Sequence, residues 1–280
     1  MNTPQKGSIR LGTSSWSSKG WLGPFYPKGT KAGDFLNVYS EQFDTVEVDS
    51  TYYHPPSRHV VEGWERKTPD GFKLSAKFPR AIVHAGQGPR PDGSKILLPE
   101  FADASTKQFL GSMSALGPKC GPLVLQFPYL NREAFAHRDL FLERLDRYAQ
   151  GLPDNFRYGV EIRNKNWIDQ TLLDFLKDRR MALVLVDLLY MPHPADLAKQ
   201  FDLVTTDFTY CRLIGDRKAV DAKTKIFDKI VLDQSARLKR WAALLNDLRQ
   251  RVPETYVYSN NHYAGHGPAT TRELAELVGE

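Results

Sequence analysis

Eight times along the chain a short segment of alternating side chains gives way to a stretch with helical spacing, and this recurrence restricts the fold more than any other feature. The alternating segments lie at residues 9–15, 45–51, 72–78, 122–127, 158–167, 182–187, 209–214 and 255–260. A period of two is that of a strand. Residues 182–187 are almost wholly apolar before Asp187, as expected of a parallel strand covered on both faces. Helices are expected at 34–43, 58–67, 99–116, 134–150 and 168–180. A further helix carries Leu238, Trp241, Ala242, Leu245 and Leu248 on one stripe, and the last opens on a capping box from Thr270 to Glu273. Residues 188–207 read as irregular and residues 1–7 as a flexible lead. Eight strand–helix units with no break in composition predict an α/β fold, a closed barrel of parallel strands forming a single TIM-like domain. The 280 residues suffice, since such a barrel takes about 250. An open doubly wound sheet is the competing fold, but no GxGxxG follows the first strand.

Within residues 158–167, YGVEIRNKNW, one face carries Tyr158, Val160 and Ile162 and the other Gly159, Glu161 and Arg163. A carboxylate and a guanidinium thus end one face of a strand, where a buried charge is costly unless paired or used. The other strands repeat the design. Near their C-terminal ends stand Ser14, Glu47, Asp49, Lys77, Gln126, Asp187, Arg212 and Asn260. In a barrel the apolar faces meet the helices and this polar set lines the mouth, where barrel enzymes place their sites. The competing reading is a structural ion-pair network that plugs the barrel.

The motifs in series are GTSSW at 12–16, VEVDSTYY at 46–53 followed by Pro55 and Pro56, KFPRAIVH at 77–84, QFP at 126–128, EIRNKNW at 161–167 and NNH at 260–262. They span nearly the whole chain, which resembles the YecE-like family, also called the domain-of-unknown-function 72 family. The resemblance implies an eight-stranded barrel related to TIM barrels and no established activity. The family often has Asn where Asp49 stands, and His where Asn164 and Ile214 stand. Two imidazoles are therefore missing from the family pattern.

Three of these residues are candidate catalytic groups. Glu161 beside Glu47 or Asp187 is a carboxylate pair suited to acid–base work, unless Lys77, Arg163 or Arg212 neutralises it. Lys77, if desolvated, is a candidate Schiff-base nucleophile, which nearby carboxylates oppose. Arg163, Arg212, Gln126, Glu47, His84, Asn260, Asn261 and His262 are candidate substrate contacts, with Trp16, Tyr52 and Tyr53 as stacking surfaces beside the mouth. The loops after strands seven and eight, with Arg212 as the fork, suggest an anion site. His84, His262 and His266 lack any short metal-binding spacing, so no metal and no cofactor are expected.

These residues point to an enzyme, of hydrolase or lyase type using a Glu acid or base, that acts on a small anionic or sugar-like ligand. The alternatives are a nucleic-acid-binding or phosphodiester-acting repair protein and a non-catalytic ligand sensor. A net charge of +5, unclustered, favours anionic partners only mildly. Cys120 and Cys211 make no disulfide framework. With neither a signal peptide nor an apolar span in the sequence, a cytoplasmic monomer away from membranes is expected.

Overall fold

The alternating segments become eight parallel strands in the computed structural model, which describes residues 6–280. They are β1 (Ser8–Thr13), β2 (Thr45–Val48), β3 (Lys73–Lys77), β4 (Cys120–Gln126), β5 (Tyr158–Glu161), β6 (Met181–Leu188), β7 (Phe208–Gly215) and β8 (Glu254–Ser259). Their hydrogen-bonded order is β1-β8-β7-β6-β5-β4-β3-β2, a single barrel-forming sheet. Between the strands run α1 (Phe35–Ser40), α2 (Arg58–Arg66), α3 (Arg80–Val83), α4 (Pro99–Met113), α5 (Arg138–Gln150) and α6 (Gln170–Asp178). They continue with α7 (Pro194–Leu197), α8 (Arg217–Asp221), α9 (Ser235–Leu248), α10 (Asn261–Ala264) and α11 (Gly267–Val278). The stretch expected to be irregular holds only the four-residue α7, so the sixth unit has almost no helix.

Side chains, rather than a strand ladder, bridge the two ends of the sheet. At the β1–β2 seam the α1 residue Tyr39 inserts its hydroxyl between the strands. That oxygen accepts the Thr13 N–H at 2.8 Å and donates to the Thr45 carbonyl at 3.1 Å. Gly12 permits the approach, since a Cβ there would lie 2.1 Å from the Thr45 oxygen. One phenol thus satisfies two backbone groups that would otherwise be buried without partners.

Several element ends differ from expectation. β2 stops at Val48 because the chain turns into a 3-10 segment, Asp49–Tyr52, in which the Thr51 hydroxyl donates to the Val48 carbonyl at 2.9 Å. β5 stops at Glu161, and Lys165–Trp167 is another such turn. The helix expected from residue 134 begins at Arg138. The capping box at Thr270 is not a cap. α11 starts three residues earlier, His266 Nδ1 accepts the Ala269 N–H, Asn261 accepts that of Gly267, and Thr270 donates back to the His266 carbonyl from inside the first turn. Of the expected lead, residues 1–5 lie outside the described residues, and Gly7 is bonded through both its N–H and its carbonyl to Arg249.

Two apolar layers hold the barrel. One lies between sheet and helices and includes the α9 stripe of Leu238, Trp241, Ala242, Leu245 and Leu248. The other fills the inside of the barrel with Val124, Ala182, Val184, Phe208, Tyr210, Tyr256 and Tyr258. Cys211 is buried and Cys120 half-buried, and burial pushes the Cys120 thiol up to about 12, so neither is an activated nucleophile. No helix among the described residues is long and apolar enough to cross a membrane.

Candidate functional site

Above the inner apolar layer the barrel interior becomes charged. Glu47 on β2, Lys77 on β3, Gln126 on β4, Glu161 on β5 and Arg212 on β7 converge there. Arg212 lies at the centre, 2% exposed. Its Nε and Nη2 grip Glu47 at 2.9 Å each, and its Nη1 donates to Gln126 at 2.7 Å and to Glu161. Tyr210 donates to Glu47 at 2.7 Å. Lys77 Nζ lies 3.7 Å from Glu47 and also pairs with Asp49. At the other side Arg163 Nε donates to Glu161 at 2.8 Å.

These contacts form one chain of alternating charge: Asp49, Lys77, Glu47, Arg212, Glu161, Arg163. Three carboxylates and three cations cancel, which is how so many charges are tolerated away from water. The middle is sealed, with Glu47 and Glu161 both fully buried. The ends reach the mouth, where the Asp49 side chain is 37% and the Arg163 side chain 23% exposed. Only Nε of Arg163 is used. Its Nη1 and Nη2 make no hydrogen bond among the described residues, so a guanidinium fork faces the mouth from a rigid base.

Glu161 therefore cannot serve as the general acid. Burial pushes its carboxyl up, but Arg212, Arg163 and Lys77 outweigh burial and bring it down to about 2. It stays ionised throughout the neutral range. For Asp49 burial likewise pushes up, and Lys77 and Arg212 bring the carboxyl below its ordinary value. Arg212 lacks the free fork expected of it, because Glu47, Gln126 and Glu161 occupy its donors. Lys77, expected as a nucleophile, is engaged by two carboxylates.

Asp187 is not in this site. It faces the helices, where it accepts from Arg237, from Trp241 Nε1 at 3.0 Å and from the Tyr263 hydroxyl at 2.9 Å. Asn260 caps α10, and Asn261 joins two loops by accepting from Trp21 Nε1 at 3.1 Å and the Gly267 N–H at 2.9 Å. His262 lies 3.3 Å from Asp221, and Trp16 packs edge-on to Trp64. In the loops of the expected anion site, Asp216 caps α8 by accepting the Lys218 and Ala219 N–H groups, and His266 caps α11. Among the described residues no group of three His, Cys, Asp or Glu side chains is placed to hold a metal ion.

Tyr52 does belong to the mouth. It is 9% exposed; burial raises its phenol, while the charges of Arg80, Arg163 and Glu161 all act on it. Tyr53 packs edge-on to it and is itself 65% exposed. His84 is buried beside Arg80, with Nδ1 accepting from the Gly86 N–H at 3.2 Å. Burial, reinforced by Arg80, lowers its imidazole, so it is neutral at pH 7. Arg80 and Tyr190 were missed from sequence. Arg80 lies inside the KFPRAIVH motif three residues past the end of β3, a signal that was present, whereas Tyr190 lies in an irregular loop with none.

Comparisons with known proteins agree with this architecture. The model of the family "Protein of unknown function DUF72" matches residues 10–280. UPF0759 protein YecE of Escherichia coli (strain K12) is 30% identical over 185 residues, a match spanning 64% of this chain and 59% of that protein's length. A solved DUF72 family protein of Thermotoga maritima MSB8 superposes with a TM-score of 0.72 at 25% identity, covering 97% of this chain and 99% of its own. A D-psicose 3-epimerase superposes with a TM-score of 0.50 at 12% identity over 82% of this chain and 80% of its own, a likeness of fold alone.

Proposed function

The chain belongs to the DUF72 family, and from that premise we propose that its barrel mouth binds a small molecule bearing a phosphate or carboxylate next to a hydroxyl or amine, of the sugar-acid or sugar-phosphate kind. The free fork of Arg163 carries this reading, since the other two cations of the alternating chain are spent on carboxylates. Two parallel N–H donors suit two oxygens of an oxyanion. At the opposite end of the chain, half-open Asp49 is the acceptor for a ligand hydroxyl or ammonium. Tyr52 and Tyr53 supply a ring surface for the ligand's body.

The buried middle of the network holds the fork still. Glu161 fixes Nε, Arg212 fixes Glu161, and Glu47 with Gln126 fixes Arg212. Such support lets a binding group sit within a fraction of an ångström of its working position. Because Glu161 is ionised at all relevant pH, proton donation by it is no part of this reading.

Calorimetric titration with inorganic phosphate and with glucuronate tests the reading. A hydrogen-bonded charge contributes about 1.5–3 kcal/mol, so Arg163→Ala is expected to weaken binding by about 10- to 100-fold. Arg163→Lys should recover only part of this, as a point charge cannot reproduce the fork. Unchanged affinity in Arg163→Ala removes the proposal.

A further inference from the structure

We infer that the ligand of the mouth carries two separated anionic groups, the second held in a cavity between the loops after β4 and β5. This rests on the reading of Arg163 as the first anion's contact. The cavity measures about 520 Å³ and is walled by Tyr129, Arg132, His137, Arg138, Lys165 and Trp167 among others. None of its lining residues is an Asp or a Glu.

That charge imbalance is local. The chain as a whole carries 38 basic and 33 acidic side chains, and several cations elsewhere find a carboxylate, among them Arg217, Lys225, Arg237 and Arg240. Arg138, in the cavity wall, pairs with Asp169 and Asp139. Arg132 and Lys165 make no ion pair and no side-chain hydrogen bond among the described residues, and both are exposed while lining the cavity. Cations gathered without counter-charge in a concave wall concentrate an anion there more strongly than the same charges on a flat surface.

Asn164 joins this cavity to the Arg163 segment of the chain. It follows Arg163 directly, lines the cavity, and is buried. Its Oδ1 accepts the Leu130 N–H at 2.9 Å and its Nδ2 donates to the Leu130 carbonyl at 2.7 Å. The two loops are thereby locked together, with Arg163 directly before the clasp residue in sequence and Lys165 directly after it. Tyr129, 60% exposed, and half-buried Trp167 give the ligand's middle section an aromatic wall. The geometry therefore points to a bis-anion such as a sugar bisphosphate or a phosphorylated sugar acid.

A length series of alkane-α,ω-bisphosphonates, measured against methylphosphonate by calorimetry, tests the subsite. Joining two anionic heads at the right spacing turns the second contact into an intramolecular one. One chain length is expected to bind at least about tenfold tighter than methylphosphonate. In the double variant Arg132→Ala/Lys165→Ala that gain should vanish while methylphosphonate affinity stays the same. Both residues are exposed, so the variant should fold as the parent does, as near-ultraviolet circular dichroism will show. A series with no preferred length, or a gain that survives the double variant, overturns the second subsite. Single-stranded oligonucleotide bound with steep salt dependence, and lost in the double variant while the bisphosphonates never bind, overturns the small-molecule form of it. Methylphosphonate binding that persists in Arg163→Ala is a separate failure, that of the mouth reading.

Discussion

Arg212→Leu is expected to lose about 5 kcal/mol of folding stability at pH 7, the upper end for breaking a buried ion pair. One guanidinium neutralises two carboxylates here, Glu47 and Glu161, and neither has access to water. A domain of this kind holds about 5–15 kcal/mol in total, so the variant should be near the edge of cooperative folding. The sign of its pH dependence follows. Glu161 loses the largest of the charges that hold its carboxyl down against burial, so less of the stability should be lost on acidification than in the parent. Adding Glu47→Gln and Glu161→Gln should recover most of the loss, because neutral groups of the same shape replace charged ones that have no partner. Urea unfolding at pH 7 and pH 5 measures all three. A wild-type midpoint for Arg212→Leu at pH 7 would mean that the charge layer is not sealed as described.

The second large effect belongs to Glu161. Its carboxyl ordinarily titrates at 4.5 and is brought to about 2 in the fold, chiefly by Arg212 and Arg163 working against burial. The folded value is depressed, so the stabilisation is present above pH 4.5 and is lost as the pH falls toward 2. The gap corresponds to about 3 kcal/mol. Glu161→Gln should therefore lower neutral-pH stability by about that amount and flatten the acid limb of the stability curve between pH 4.5 and 2. An acid limb that stays as steep as the parent's assigns the acid sensitivity to other carboxylates.

The barrel was legible because its pattern is repeated eight times, and a repeated pattern survives errors in single boundaries. Position along a strand was less legible, and that decides which arginine faces the mouth. Arg163 lies two residues past the end of β5, whereas Arg212 has three further strand residues above it, so one reaches solvent and the other does not. In sequence both are arginines after an apolar alternation. Asp187 was misplaced for another reason. β6 is apolar on both faces, so Leu183 and Leu185 on its helix side look no different from Val184 and Val186 on the inside. Without contrast between faces, nothing in the strand says which way its one carboxylate points. The capping box failed because Thr270 and Glu273 have the right spacing one turn too late, after Gly267 and Pro268 have already opened the helix.

The charges on the barrel axis carry both its stability and its proposed function, and the two are separable at Arg163. Its Nε belongs to the network, and its Nη atoms are the proposed anion contacts. The most direct measurement is anomalous diffraction from crystals soaked in selenate, whose oxygens mimic those of phosphate and sulfate. A selenium peak within hydrogen-bonding reach of Arg163 Nη1 and Nη2, absent from crystals of Arg163→Ala in which Arg212 keeps its contacts to Glu47, Gln126 and Glu161, is the predicted result. Ordered selenate elsewhere on the molecule with none at the Arg163 fork would contradict it.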